Sequence, residues 1–463
     1  MVSAPSLLFT LIAAGTAARI VLAASLGLGI DESYMVAAGR GGLQLGYFDH
    51  PLMSWWISAA AASISEAGFV VRLPFIGLFA LSTLLMHAIA RDVAGERAGL
   101  WAAIAFNLSP VFGLTTASWV LPDGPLVAAL LGMTWCLLRG FPTASWRWWG
   151  GAGVCAGLAM LSKYTAVLPL AGAALFVLAQ DRAWLRRPQP YLAAALALGV
   201  FSPVIIWNAH HGWASLAFQG GRAAAAGFRP LGPLTTLAGE AAFLLPWIWA
   251  GLMLVWWRGF FGTTPQRLLC WMAAPAILLF VVISFWSRQV LFHWAVPGYL
   301  MLFPLLGAWL ADRAWAPRAA TATAALLAVV ACVVVSEVQL AWLPVRRDPA
   351  LQARTWAALR PLVQRNLPIA SISWADTGKV AIGLGPNVPV YCLNADARQF
   401  SFATTPPTHG DLLIIAPNRS ITQMRQAYGD IFGEITEEPS IRVGRTDIPV
   451  FLGHALRRWP GRT

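Results

Sequence analysis

Apolar residues run in long blocks from near the N-terminus to about Val335 and then stop. A membrane-spanning helix needs about 20 mostly apolar residues. Blocks of that kind lie at roughly 7–28, 70–90, 99–117, 122–138, 149–162, 164–180, 190–207, 238–257, 268–285, 293–311 and 319–336. They predict a polytopic α-helical membrane protein of about eleven transmembrane helices, in a range of roughly 10–13. The two blocks that meet at Ser162 are short and tightly joined. Ser54 to Ala67 is apolar but too short for a span and reads as a segment lying along the interface. Leu7 to Leu28 has no basic stretch ahead of it and no small-residue cleavage site, so it reads as a retained first span.

Beyond Val335 the pattern shortens. IASISWA, VPVYCL, DLLIIAP and PVFLGH read as strands, and Gln423 to Tyr428 as a helix. The expected division is a membrane domain over 1–336, with a first outer loop at about 29–69, and a small soluble α/β domain over 337–463.

Composition fits this picture. The chain is 58% hydrophobic and 11% charged, with mean hydropathy +0.63, where soluble domains are near half apolar and a quarter charged. The net charge of +12 would suggest nucleic acid in a soluble protein. Here the basic residues sit in short loops between apolar blocks: Arg91 and Arg97, Arg139 and Arg147, Arg182, Arg186 and Arg187, Arg258 and Arg267, Arg313 and Arg318. That alternation is the positive-inside pattern. It excludes nucleic acid as partner and puts these loops in the cytoplasm and the C-terminal domain outside. Five scattered cysteines form neither a disulfide framework nor a zinc set.

The opposite face collects the residues able to do chemistry: Asp31, Glu32, Asp49, His50, Asp123, Lys163, Tyr164, His210, His211, Arg222, Arg229, Arg288 and His293. Charge beside a bilayer is costly and marks pathways or sites. Asp31–Glu32 reads either as a helix-end charge pair or as a general base beside a structural acid, with Asp31 the first choice. Tyr47–Phe48–Asp49–His50–Pro51 reads as an interfacial aromatic anchor with a turn, or as a substrate loop in which His50 meets a phosphate and Asp49 orients a hydroxyl. Asp123 reads as a helix-start residue or an active-site acid. Lys163–Tyr164 offers a snorkelling lysine or a phosphate contact. Arg288 and His293 offer a belt or a second phosphate contact. His210–His211 is a poor metal pair, because neighbouring histidines seldom share a ligand geometry, and no divalent metal is expected.

The stretch GIDESYMVAAGRGGLQLGYFDHPLMSWW (29–56) resembles the first outer loop of bacterial membrane glycosyltransferases of family 39, which have the GT-C architecture and are related to protein O-mannosyltransferases and aminoarabinose transferases acting on lipid A. Their usual form is an Asp-Glu pair followed by Tyr-Phe-Asp-His-Pro-Pro; this chain has Leu52 in place of the second proline. SWVLPDGPL, GLAMLSKYTAVLPL and SPVIIWNAHHGW extend the resemblance over roughly the first 310 residues. It implies a polyprenyl-phosphate-linked hexose or pentose donor and transfer to a hydroxyl of a lipid, glycan or protein, with inversion, at the outer face of a bacterial inner membrane. Asp31 would be the catalytic base, with Glu32 beside it. Tyr47, Asp49, His50, Asp123, Lys163, Tyr164, Arg288 and His293 would line the donor and substrate site. A transporter or flippase of lipid-linked sugars is the alternative, but such proteins place their sites near the midplane between internal repeats, and this chain shows no repeated half.

Overall fold

The computed structural model describes residues 4–221, 227–287, 290–345 and 348–460. Six of its helices are long and apolar enough to cross a membrane: Pro5–Ser25, Gly68–Ala94, Asp123–Thr143, Gln189–His210, Thr264–Ile283 and Ala316–Leu340. A bent pair raises the number to seven at most. Every apolar block of the sequence carries helix, yet five are shorter than expected or interrupted.

The interruptions have local causes. The block at 99–117 becomes the helix Glu96–Leu108, stopped by Ser109–Pro110, and then one π-helical turn, Val111–Thr116. Lys163 adopts an extended backbone, φ −157° and ψ 136°, and separates the helix Trp146–Ser162 from the turn Tyr164–Ala166 and the helix Val167–Gln180. Leu245, at φ 74°, and Pro246 bend the block at 238–257 by 111° into Gly232–Leu244 and Pro246–Gly259. The block at 293–311 is split into Val296–Leu300 and Phe303–Ala311.

The chain forms two compact units. The first comprises residues 1–19, 44–54 and 74–328, and the second residues 20–43, 55–73 and 329–463. In the first, glycines let helices approach to backbone distance, as apolar helices in a membrane require. A Cβ on Gly157 would stand 2.5 Å from Val200 Cβ, and one on Gly307 2.4 Å from the Ala98 carbonyl oxygen. Around these contacts lies one apolar core, in which Phe106 stacks on Phe79 and meets Phe112 and the edge of Phe303.

The second unit contains a five-stranded mixed sheet of β1 Ile369–Ser371, β2 Val390–Cys392, β3 Leu412–Ile415, β4 Glu434–Val443 and β5 Thr446–His454, in the order β2-β1-β3-β5-β4. β1 pairs in parallel with β2 and β3, whereas β5 is antiparallel to β3 and β4. The helix Trp374–Leu384 links β1 to β2. Its Gly378 lies against the helix Ile30–Gly39, where a Cβ would come within 2.6 Å of Tyr34 N. Tyr34 is buried among the ring edges of Trp55, Trp374 and Phe400, and its hydroxyl accepts a hydrogen bond from Gln399 N at 3.0 Å.

Candidate active site

In the first unit, the loop 44–52 is folded onto the helices Gln189–His210 and Ala214–Gly221. Gly46 allows this, because a Cβ there would sit 2.8 Å from Trp207 Cβ. Trp207 Nε1 donates to Gln44 Oε1 at 3.3 Å, Phe48 packs on Phe218 at 4.8 Å, and Gln219 Nε2 donates to the Asp49 carbonyl. Tyr47 is buried in the loop, and its hydroxyl accepts from Gln44 N at 3.2 Å.

This packing buries Asp49 and brings it within electrostatic range of Tyr164. The Tyr164 hydroxyl shares a hydrogen bond with Ser215 at 2.6 Å and also engages Asn208. One residue earlier, Lys163 Nζ donates to both oxygens of Asp123, at 2.9 and 3.1 Å. Both side chains are nearly buried, 11% and 13% exposed. Asp123 opens its helix, where the N-terminal dipole favours a carboxylate. His50 and His293 lie within electrostatic range of Asp123. Residues from five separate stretches therefore converge: Asp49 and His50, Asp123, Lys163 and Tyr164, Asn208 to Gln219, and His293. Arg288 lies outside the described residues, as does Arg222. Arg229 Nη1 donates to the Ser287 carbonyl at 3.0 Å and anchors the segment leading there.

Asp31 and Glu32 belong to the second unit, in the first turn of the helix Ile30–Gly39. The two acids have different surroundings. Glu32 Oε2 accepts from Gly29 N at 2.8 Å and from Arg72 Nη2 at 2.5 Å, while Oε1 accepts from Arg72 Nε at 2.8 Å. Arg72 goes on to the carbonyls of Ala23, Leu26 and Gly27. Glu32 is thus a buried cap and anchor. Asp31 is exposed. The frame behind it is completed by Lys379, the other lysine of the chain, which donates to the carbonyls of Leu28, Gln352 and Arg354 at 2.6–3.0 Å. Burial lowers the Lys379 ammonium to about 8; Glu32 opposes the shift and Arg72 adds to it. A cavity of about 1060 Å³, lined by Gly27, Leu28, Glu66, Arg354, Arg360 and Lys379, adjoins this frame.

Sequence reasoning did not single out Ser215, Gln219 and Arg72. Asn208 lies inside the quoted WNAHHGW motif, but only the fold shows its buried side chain beside Tyr164. His210 and His211 are exposed, and His211 stacks on Trp207 with ring centroids 4.1 Å apart. Among the described residues no group of three or more His, Cys, Asp or Glu is arranged to hold a metal ion.

The chain is similar to several known proteins. Residues 49–207 match the family model described as dolichyl-phosphate-mannose-protein mannosyltransferase. A curated relative, a lipid A galacturonosyltransferase of Rhizobium johnstonii, is 24% identical over 294 residues; the match covers 59% of this chain and 58% of the relative, so less than two thirds of the relative's length is spanned. The crystal structure of ArnT from Cupriavidus metallidurans in the apo state superposes with a TM-score of 0.69 at 14% identity, over 96% of this chain and 97% of that one. The same protein bound to undecaprenyl phosphate gives 0.68 at 15% identity, over 97% and 98%.

Proposed function

We propose that this chain, which has the GT-C fold of the family 39 type that its loop motifs resemble, is a membrane glycosyltransferase. It moves a hexose or pentose from a polyprenyl-phosphate-linked donor to an acceptor hydroxyl at the outer face of the inner membrane. The observation that carries this reading is the cluster around Asp123 and Lys163. A sugar bound through a phosphodiester to a lipid carries one negative charge, and the lipid phosphate that leaves carries a second. A site for this reaction needs fixed cations where that charge grows. Lys163 offers one, held in place by its contacts with both oxygens of Asp123. His50 and His293 offer two more when protonated, and Tyr164 and Asn208 offer neutral donors to sugar or phosphate oxygens.

The base in this reading is Asp31, as the loop resemblance implies. Its carboxylate takes the proton of the acceptor hydroxyl, the acceptor oxygen attacks the anomeric carbon, and the bond to the phosphate oxygen breaks with its electron pair leaving on the lipid phosphate. Attack opposite the leaving group inverts the anomeric centre. Glu32 does not take part directly; it fixes the helix turn that carries Asp31. Residues 337–463 form an extracytoplasmic domain whose helix Trp374–Leu384 supports that turn. The acceptor, whether lipid, glycan or protein, is the variable part of this reading.

The test is transfer by the purified protein in lipid, using a panel of radiolabelled polyprenyl-phosphate sugars with envelope extract as acceptor. Label should pass from one donor to the extract and stop passing in Asp31→Asn. Donor that is bound and moved across the bilayer without sugar transfer would replace this reading with a transporter.

A further inference from the structure

Away from that cluster, the first unit carries a concavity. It is a groove of about 380 Å³ between the helices Glu96–Leu108, Pro246–Gly259, Phe303–Ala311 and Ala316–Leu340. Trp101, Leu108, Trp247, Trp309, Ala319 and Leu326 define its walls. Small residues at 316, 319, 320 and 322 hollow out one side, and along that side it runs from Ala316 to Leu326. Ten residues of helix rise about 15 Å, about half of a 30 Å hydrocarbon core and hence one leaflet.

The Ala316 end is polar in a specific way. The Trp309 indole nitrogen is buried there, with no hydrogen-bond partner among the described residues. The Arg313 guanidinium lies over the Trp309 ring, 5.0 Å from its centroid. Arg97 reaches the same corner, with Nη2 donating to the Ala311 carbonyl at 2.7 Å. The first turn of the helix Ala316–Leu340 opens at this end, where the dipole favours an anion. The acids nearby are Glu96, which lies 3.2 Å from His87 Nε2, and Asp312, which caps the helix Phe303–Ala311. Arg97, Arg313 and Arg318 outnumber them.

We infer that this groove is a binding site for one anionic glycerophospholipid. An acyl chain fills the apolar length and the phosphate or ester oxygens meet Trp309 Nε1 and the Arg97–Arg313 pair. This site does not depend on the glycosyl-transfer reading.

The experiment uses the full-length protein, delipidated in detergent, with phosphatidylglycerol or phosphatidylcholine added back. Bound lipid is counted by native mass spectrometry and Tm is followed by tryptophan fluorescence. One phosphatidylglycerol should be retained, with a saturating rise in Tm that phosphatidylcholine does not produce. Arg313→Gln should weaken that binding about tenfold, the equivalent of one charge-assisted hydrogen bond. Ala319→Leu, which fills the groove, should abolish it. If Ala319→Leu fails to fold, the near-isosteric Trp309→Phe takes its place and should also bind more weakly. Equal retention of both lipids, unchanged binding in these variants, or displacement of phosphatidylglycerol by polyprenyl phosphate would each overturn the assignment.

Discussion

Lys163 and Asp123 are joined by two hydrogen bonds, at 2.9 and 3.1 Å, across 40 residues of sequence. The pair closes the break between the helices Trp146–Ser162 and Val167–Gln180 against the start of the helix Asp123–Thr143. Removing one partner of a nearly buried ion pair leaves the other charge uncompensated, at a cost of about 3–5 kcal/mol. Lys163→Gln and Asp123→Asn should therefore each lower Tm, while the double variant should recover much of the loss. Transfer should behave differently. If Lys163 offsets phosphate charge, the double variant stays about 100-fold below wild type in kcat. Recovery of both stability and turnover would make the pair purely structural.

Asp31 and Glu32 are neighbours with opposite expected phenotypes. Asp31→Asn changes an exposed side chain and should leave the unfolding free energy within the small range usual for surface substitutions, about ±0.5 kcal/mol, while abolishing transfer. Glu32→Ala removes two acceptors from buried Arg72 and the cap from Gly29 N. It should destabilise by about 3–5 kcal/mol. Thermal unfolding alongside single-turnover transfer separates the two. A stable, inactive Glu32→Ala protein would reverse the assignment of roles.

Much of this was legible in the chain. The apolar blocks located every long helix, and the four loop motifs supplied Asp49, His50, Asp123, Lys163, Tyr164 and Asn208, which the fold gathers. What stayed hidden depends on distant partners or on backbone breaks. Nothing in Asp31–Glu32 itself says which acid turns inward; Arg72 decides that from 40 residues away. Strand β4, EITEEPSIRV, was not predicted because charged residues occupy both of its faces, as an edge strand paired only to β5 permits. The span at 238–257 looked continuous because a single Leu245–Pro246 step makes its bend.

Lys379 gives stability a pH dependence of unusual sign. Burial pushes its folded pKa down to about 8, below the ordinary lysine value of 10.5. Between those values the unfolded chain holds more protons than the folded one, so stability rises with pH. Below about pH 8 both states are protonated and the burial penalty is fully present; above 10.5 it is gone. The difference in unfolding free energy between wild type and Lys379→Met, followed by denaturant titration, should shift in favour of wild type across that window. A flat difference would mean that the three carbonyls hold the ammonium charged at its ordinary value.

The π-helical turn Val111–Thr116 precedes the Asp123 helix and depends on two residues outside it. Arg19 Nε donates to the Gly113 carbonyl and Nη2 to Asn107 Oδ1, both at 3.0 Å, while the guanidinium lies over Phe79. A Cβ on Gly113 would fall 2.1 Å from the Asn107 carbonyl oxygen, a contact that only a backbone shift can relieve. Gly113→Ala should cost about 1–3 kcal/mol as overpacking. Arg19→Met, which leaves the Gly113 carbonyl without its charged donor, should cost about 1.5–3 kcal/mol. The two changes act on one turn, so their double variant should be less destabilised than the two effects added together. Full additivity in Tm would show that Arg19 stabilises its own helix and not the turn.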